Sequence, residues 1–143
     1  MTLTHLTFAM VATAATMAIA APLTAREATT IQQSAQAAQI SVEAVVARNV
    51  VDRMPVDTGT AFPVEVGNLV LWMRVTGADG QVLHHVWFWG GTELGNVPLN
   101  VGGSPWRAWS RKVVMPEMTG RWHVEVRDAS DKVLKRIDFT VGG

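Results

Sequence analysis

The densest chemistry in this chain is the run Trp106-Arg107-Ala108-Trp109-Ser110-Arg111, which holds two indoles, two guanidinium groups and a hydroxyl. In a strand, successive side chains point to opposite faces. Trp106, Ala108, Ser110 and Lys112 would then share one face, and Arg107, Trp109, Arg111 and Val113 the other. His85, Trp87 and Trp89 share a face of an earlier run, and Trp122 sits in a third. Five of the six tryptophans thus fall between Trp87 and Trp122, in a chain without tyrosine or cysteine. An indole offers a large apolar area and one N–H that needs a partner. Two readings are open. In the structural one, Trp106 or Trp109 fills a core, and Arg107 stacks over a ring or ties a loop. In the functional one, His85, Trp87, Trp89, Trp106, Arg107, Trp109, Ser110 and Arg111 are the ligand-binding candidates. There an aromatic ring takes the C–H face of a sugar, and arginine forks grip hydroxyls, carboxylates or phosphates. The same residue types also make protein-interface hot spots.

Catalytic and metal signals are faint. Ser110 stands outside any Gly-x-Ser-x-Gly elbow, and a Ser110–His85–Asp set has no marking beyond composition. Adjacent His84 and His85 point to opposite faces of a strand, so they do not share one ion. His85 reads as a ring hydrogen-bonded within an aromatic cluster. His123, set among Arg121, Glu125 and Arg127, reads as solvated. No Gly-rich phosphate loop opens a helix. The sequence calls for no catalytic residue, no metal and no cofactor, and a hydrolase is the least supported class.

Composition narrows the class further. Formal net charge is zero, which argues against a dedicated nucleic-acid binder. The charge is uneven: residues 26–100 hold four arginines against seven acids, and residues 101–143 hold eight Lys or Arg against five acids. Either the halves pair in the fold, or the C-terminal strands carry a basic face. Leu6 to Ala21 contains no charged side chain and includes the A-x-A signal Ala18-Ile19-Ala20. Residues 1–25 therefore read as a secretory leader, leaving no stable membrane span after cleavage. Residues 26–39, rich in Ala, Gln and Thr, read as a flexible tether. The absence of cysteine in an exported domain fits a bacterial periplasm.

From residue 40 onward the pattern is that of strands. They are expected over 40–48, 68–76, 81–89, 97–101, 106–114, 121–127 and 133–141. Residues 49–60 form a long loop broken by Pro55 and Gly59, and residues 77–80 form a hairpin-type turn. Trp122, Val124 and Val126 alternate with Arg121, His123, Glu125 and Arg127, so the first set is core. Ile137, Phe139 and Val141 repeat that logic. Seven strands with close turn signals predict a seven-stranded antiparallel immunoglobulin-like β-sandwich over residues 40–143.

Certain phrases resemble a known family. They are the segment Asn49 to Pro55, His85-x-Trp87, Trp106-Arg107-x-Trp109-Ser110, Pro116, Gly120-x-Trp122-x-Val124, Asp128 and Phe139-x-Val141. Over about 44–141 the chain resembles domain-of-unknown-function family 2914. It departs from that pattern at Val86, where a polar or basic residue is expected, and in the loose spacing of Asp52-Arg53-Met54-Pro55. The resemblance implies an exported or membrane-linked β domain and brings no activity, ligand or catalytic residue. The expectation is a non-catalytic envelope module that binds a glycan or anionic envelope polymer. The alternative is a protein–protein interaction module of an envelope complex.

Overall fold

A computed structural model describes residues 39–142. The expected leader, and all but the last residue of the tether, lie outside them. The described residues form nine strands: β1 (Ser41–Val51), β2 (Met54–Thr58), β3 (Ala61–Phe62), β4 (Asn68–Thr76), β5 (Val82–Trp89), β6 (Thr92–Asn100), β7 (Trp106–Val113), β8 (Gly120–Arg127) and β9 (Val133–Val141). A four-stranded sheet in the order β2-β1-β4-β7 packs against a five-stranded sheet in the order β3-β9-β8-β5-β6. The all-β sandwich expected from the alternation is the fold. No helix among the described residues is long and apolar enough to cross a membrane.

The count is nine strands rather than seven because residues 49–60 are not a loop. β1 runs on to Val51, turns back as β2, and the chain then adds β3 beside β9. Pro55 is tolerated because β2 is an edge strand, where a missing N–H costs no ladder bond. The β3–β9 pair is parallel, so the sandwich is not wholly antiparallel. The turn over 77–80 is not a hairpin either: β4 and β5 belong to different sheets, and it carries the chain across. The fourth expected strand is longer than predicted. Gly90 and Gly91 both take positive φ, making a two-residue hairpin turn rather than an end to pairing, so β6 starts at Thr92.

The inner faces of the two sheets differ in kind. The four-stranded sheet contributes Ala44, Val46, Leu69, Leu71, Met73 and Val75, all buried. The five-stranded sheet contributes an aromatic chain. Phe139 packs edge-on to Phe62 and Trp87, with ring centroids 6.1 and 6.4 Å apart, and stacks on Trp122 at 5.8 Å. Trp89 continues the chain at 6.3 Å from Trp122. Such pairs add to the area term. Trp122, Val124 and Val126 are buried as the alternation predicts, as are Phe139 and Val141, while Ile137 is half-buried against the core.

Trp122 is 2% exposed and donates its indole N–H to the Met118 carbonyl at 2.9 Å. Trp122→Ala is therefore expected to destabilise the domain by about 3–5 kcal/mol, measured as a fall in the urea midpoint. An unmoved midpoint would place Trp122 outside the core.

Candidate functional site

The structure divides the eight candidate residues into two groups. His85, Trp87 and Ser110 are core: His85 and Trp87 have no exposed surface and Ser110 is 6% exposed. Trp89 and Trp106 are half-buried against that core, with the Trp106 ring lying directly on the backbone of Gly102, where a Cβ would meet it at 2.8 Å. Trp89 donates to the Thr119 carbonyl. Arg107, Trp109 and Arg111 point the other way, onto the outer face of the four-stranded sheet.

The buried group is a polar tie between the sheets. Ser110 Oγ on β7 lies 2.8 Å from His85 Nδ1 and 3.1 Å from Trp87 Nε1, both on β5. The indole N–H donates to Ser110 Oγ. The hydroxyl then has its own proton for His85 Nδ1, which places the imidazole proton on Nε2. That nitrogen is buried without a partner among the described residues. An alternative in which Nδ1 donates would strand both the hydroxyl proton and the Nε2 lone pair, a costlier arrangement in a dry core. Burial alone depresses the His85 pKa to about 3.

The outer group gains two members that the sequence reading passed over. The β4–β7 register sets Trp72 opposite Trp109 and Arg74 opposite Arg107, with Arg111 opposite Val70. Leu69, Leu71, Met73 and Val75 face the core, so Val70, Trp72 and Arg74 face outward. The unbroken apolar run Leu69–Met73 hides which face looks inward, and the register against β7 does not exist in sequence. Trp72 is nevertheless only 2% exposed, because the β1–β2 hairpin folds over it. Val51 pairs with Met54 across Asp52 and Arg53, whose φ values are 50° and 64°. A two-residue turn with both φ positive matches strand twist but costs on the order of 1 kcal/mol at a non-glycine residue. Trp72 Nε1 donates to the Arg53 carbonyl at 2.9 Å, and Arg111 donates to Asn49 Oδ1 at 3.1 Å. Both contacts hold the hairpin down.

What remains open is Trp109, half-buried, between exposed Arg107 and Arg111. Glu43 stands 3.9 Å from the Arg74 guanidinium, with both side chains well exposed. No acidic partner lies within salt-bridge distance of Arg107 among the described residues. Directly opposed like charges destabilise a sheet, so Arg74 and Arg107 leave positive potential beside an indole.

A different cluster covers the outer face of the five-stranded sheet and corrects the reading of β8. His123, expected to be solvated, has a side chain only 15% exposed, and on the same face Glu125 is 7% exposed. Its carboxylate accepts from Arg127 Nε at 2.6 Å and has His123 Nε2 at 3.6 Å and Arg136 at 3.9 Å. Phe88 stacks on His123 with centroids 4.3 Å apart, and Arg127 lies over the Phe88 ring. Burial, then Arg136, pushes the His123 imidazole below its usual range, against the pull of Glu125 and Asp138. The alternation of charged residues in Arg121–Arg127 hides this cluster, because its cover comes from β5 and β9.

Residues 80–141 match the family described as Protein of unknown function (DUF2914), the family that the Trp-Arg-x-Trp-Ser phrase resembles. The match begins after the Asn49–Pro55 segment and takes in the other phrases of the resemblance. No curated protein matches the chain. Among solved structures, an engineered protein of the Northeast Structural Genomics Consortium is similar at 17% identity and a TM-score of 0.41, over 73% of this chain and 20% of its own. The chain thus spans about a fifth of that protein's length.

The His85 environment sets a pH dependence. The folded-state pKa lies below the unfolded value of 6.5, so between the two the unfolded chain binds a proton that the folded one refuses. Stability therefore falls as pH drops through 6.5 toward 3, and His123 acts in the same direction. The His85 loss between pH 7 and pH 5 is about 2 kcal/mol, at about 1.4 kcal/mol per pH unit once the unfolded histidine is protonated. Urea unfolding at both pH values checks this. His85→Asn should flatten the slope, and an unchanged slope would remove His85 as its source.

Proposed function

We propose that this protein, whose residues 80–141 match the DUF2914 family, is a non-catalytic binding module of the bacterial envelope. Its ligand is a glycan or anionic envelope polymer. It lies along the outer face of the four-stranded sheet over Trp109, with Arg74, Arg107 and Arg111 around it. The observation that carries the reading is the register that opposes Arg74 to Arg107 beside the Trp72–Trp109 pair. The half-buried indole offers a flat apolar surface for the C–H face of a sugar. The arginine forks suit carboxylate or phosphate groups, which they grip through two parallel N–H donors.

The non-catalytic part rests on where the Ser–His contact sits. Ser110 and His85 are buried between the sheets, away from a polymer lying on the outer face. Export to the periplasm rests on the leader pattern over residues 1–25 and the absence of cysteine.

The test is a titration of the protein with an acidic polysaccharide and with its neutral counterpart at two salt concentrations. The acidic polymer should bind with an affinity that falls as salt rises, and the neutral one more weakly. Arg107→Gln and Arg74→Gln should each weaken acidic binding about tenfold, equivalent to about 1.4 kcal/mol, with the urea midpoint kept. Equal affinity for wild type and both variants would defeat the proposal.

A further inference from the structure

The two sheets differ in width, and the mismatch falls on one side. Ser110 of β7 bonds both His85 and Trp87 of β5. β7, the last strand of its sheet, therefore lies beneath β5, and β6 extends one strand farther. The overhanging face of β6 carries Gly95, Val97 and Leu99, the register partners of inward-facing Trp87, His85 and Leu83. Val97 and Leu99 are half-buried. Lys112 reaches up from β7 and donates to the Leu94 carbonyl at 2.9 Å, spanning the step between the sheets.

The edge beside that step is open. Among the described residues, the strand partner of β7 is β4. β7 runs eight residues with neither proline nor glycine. The other edges are blunted in familiar ways: β2 contains Pro55, β3 has two residues, and β6 carries Gly95 and Pro98.

We infer that the free edge of β7 accepts an added strand from a protein partner, an extended segment whose side chains alternate apolar and acidic. Main-chain bonds to β7 would supply the common part of the affinity and alternate side chains the specificity. Every second side chain would enter the step beneath Val97 and Leu99, completing the narrower sheet. The intervening ones would lie beside Arg107 and Arg111, where carboxylates are favoured. A second copy of this chain is a poor occupant. Strand β7 laid against itself brings Arg107 and Arg111 against the same arginines, and like charges across neighbouring strands are destabilising. This surface adjoins the Trp109 face but rests on a backbone edge and the β6 overhang rather than on the indole.

The experiment uses the full chain and a labelled peptide of the length of β7 with alternating valine and glutamate. Binding is read by fluorescence anisotropy, and amide hydrogen exchange is followed across β7. The expected result is saturable binding, with slowed exchange at the outward amides of Trp106–Val113. A peptide of the same composition with the alternation scrambled should bind at least about tenfold more weakly. One N-methylated at consecutive residues should lose binding, because neither of its backbone edges can then donate to β7. Unchanged exchange in β7, or equal binding of the scrambled or methylated peptide, would overturn strand addition. So would a protein that is already a dimer through this edge. Val97→Lys should weaken the peptide and leave acidic polysaccharide binding intact, so failure here is separable from failure of the glycan reading.

Discussion

The structure hangs on the meeting of an aromatic inner face with an aliphatic one, tied at one polar point. Phe62, Trp87, Trp122 and Phe139 fill the five-stranded side, and Leu69, Leu71, Met73 and Val75 the other. The aromatic contacts interlock β3, β9, β8 and β5 through a single residue, Phe139. Ser110 and His85 are the polar residues between the sheets, and the Ser110 hydroxyl meets both a donor and an acceptor from the opposite sheet. That pairing offsets the cost of burying polar groups. It also fixes which face of β7 looks inward. Once Ser110 is in the core, alternation forces Arg107, Trp109 and Arg111 outside. The surface site is thus set by the same alternation that buries Ser110.

Much of this was legible in the sequence, and the failures have physical causes. The strands over 68–76 and 133–141 match their expected bounds because breakers are clear: Gly67 and Gly77 flank the first and Gly142 follows the second. The inward set Trp122, Val124 and Val126 follows from the same period. The β1–β2 hairpin was hidden because Pro55 signals a break wherever neighbouring strands are unknown, while an edge strand accommodates it. The step across 77–80 reads as a hairpin because local turn chemistry does not say which sheet the chain enters next. His123 looked solvated because the ring that covers it, Phe88, comes from another strand. Within the candidate set, Arg107, Trp109 and Arg111 were separable from Trp106 and Ser110 by alternation alone. That Arg74 and Trp72 join them required the register.

Two surfaces of the four-stranded sheet then carry different chemistry. The face is flat, basic and aromatic, partly roofed by a hairpin that Trp72 holds through the Arg53 carbonyl. The edge is a bare backbone ladder beside an apolar overhang. Arg107 and Arg111 border both, so an acidic occupant of either would draw on the same charges. Because those two arginines sit on a rigid strand rather than a loop, their spacing is set by the sheet. The Asn49–Arg53 segment is fastened to the face by two hydrogen bonds and by its cover over the Trp72 indole.

Trp109 is the partly open indole on the basic outer face, while Trp89 and Trp106 pack against the core. Acrylamide quenching of the intrinsic fluorescence, with and without acidic polysaccharide, tests that placement most directly. A neutral quencher avoids attraction to the arginines. The expected result is a quenchable fraction that shrinks in Trp109→Phe and whose Trp109 share is shielded by the polymer in the wild type, with half-buried Trp89 and Trp106 supplying the remainder. A quenchable fraction unchanged in Trp109→Phe, or one the polymer leaves fully accessible, would contradict it.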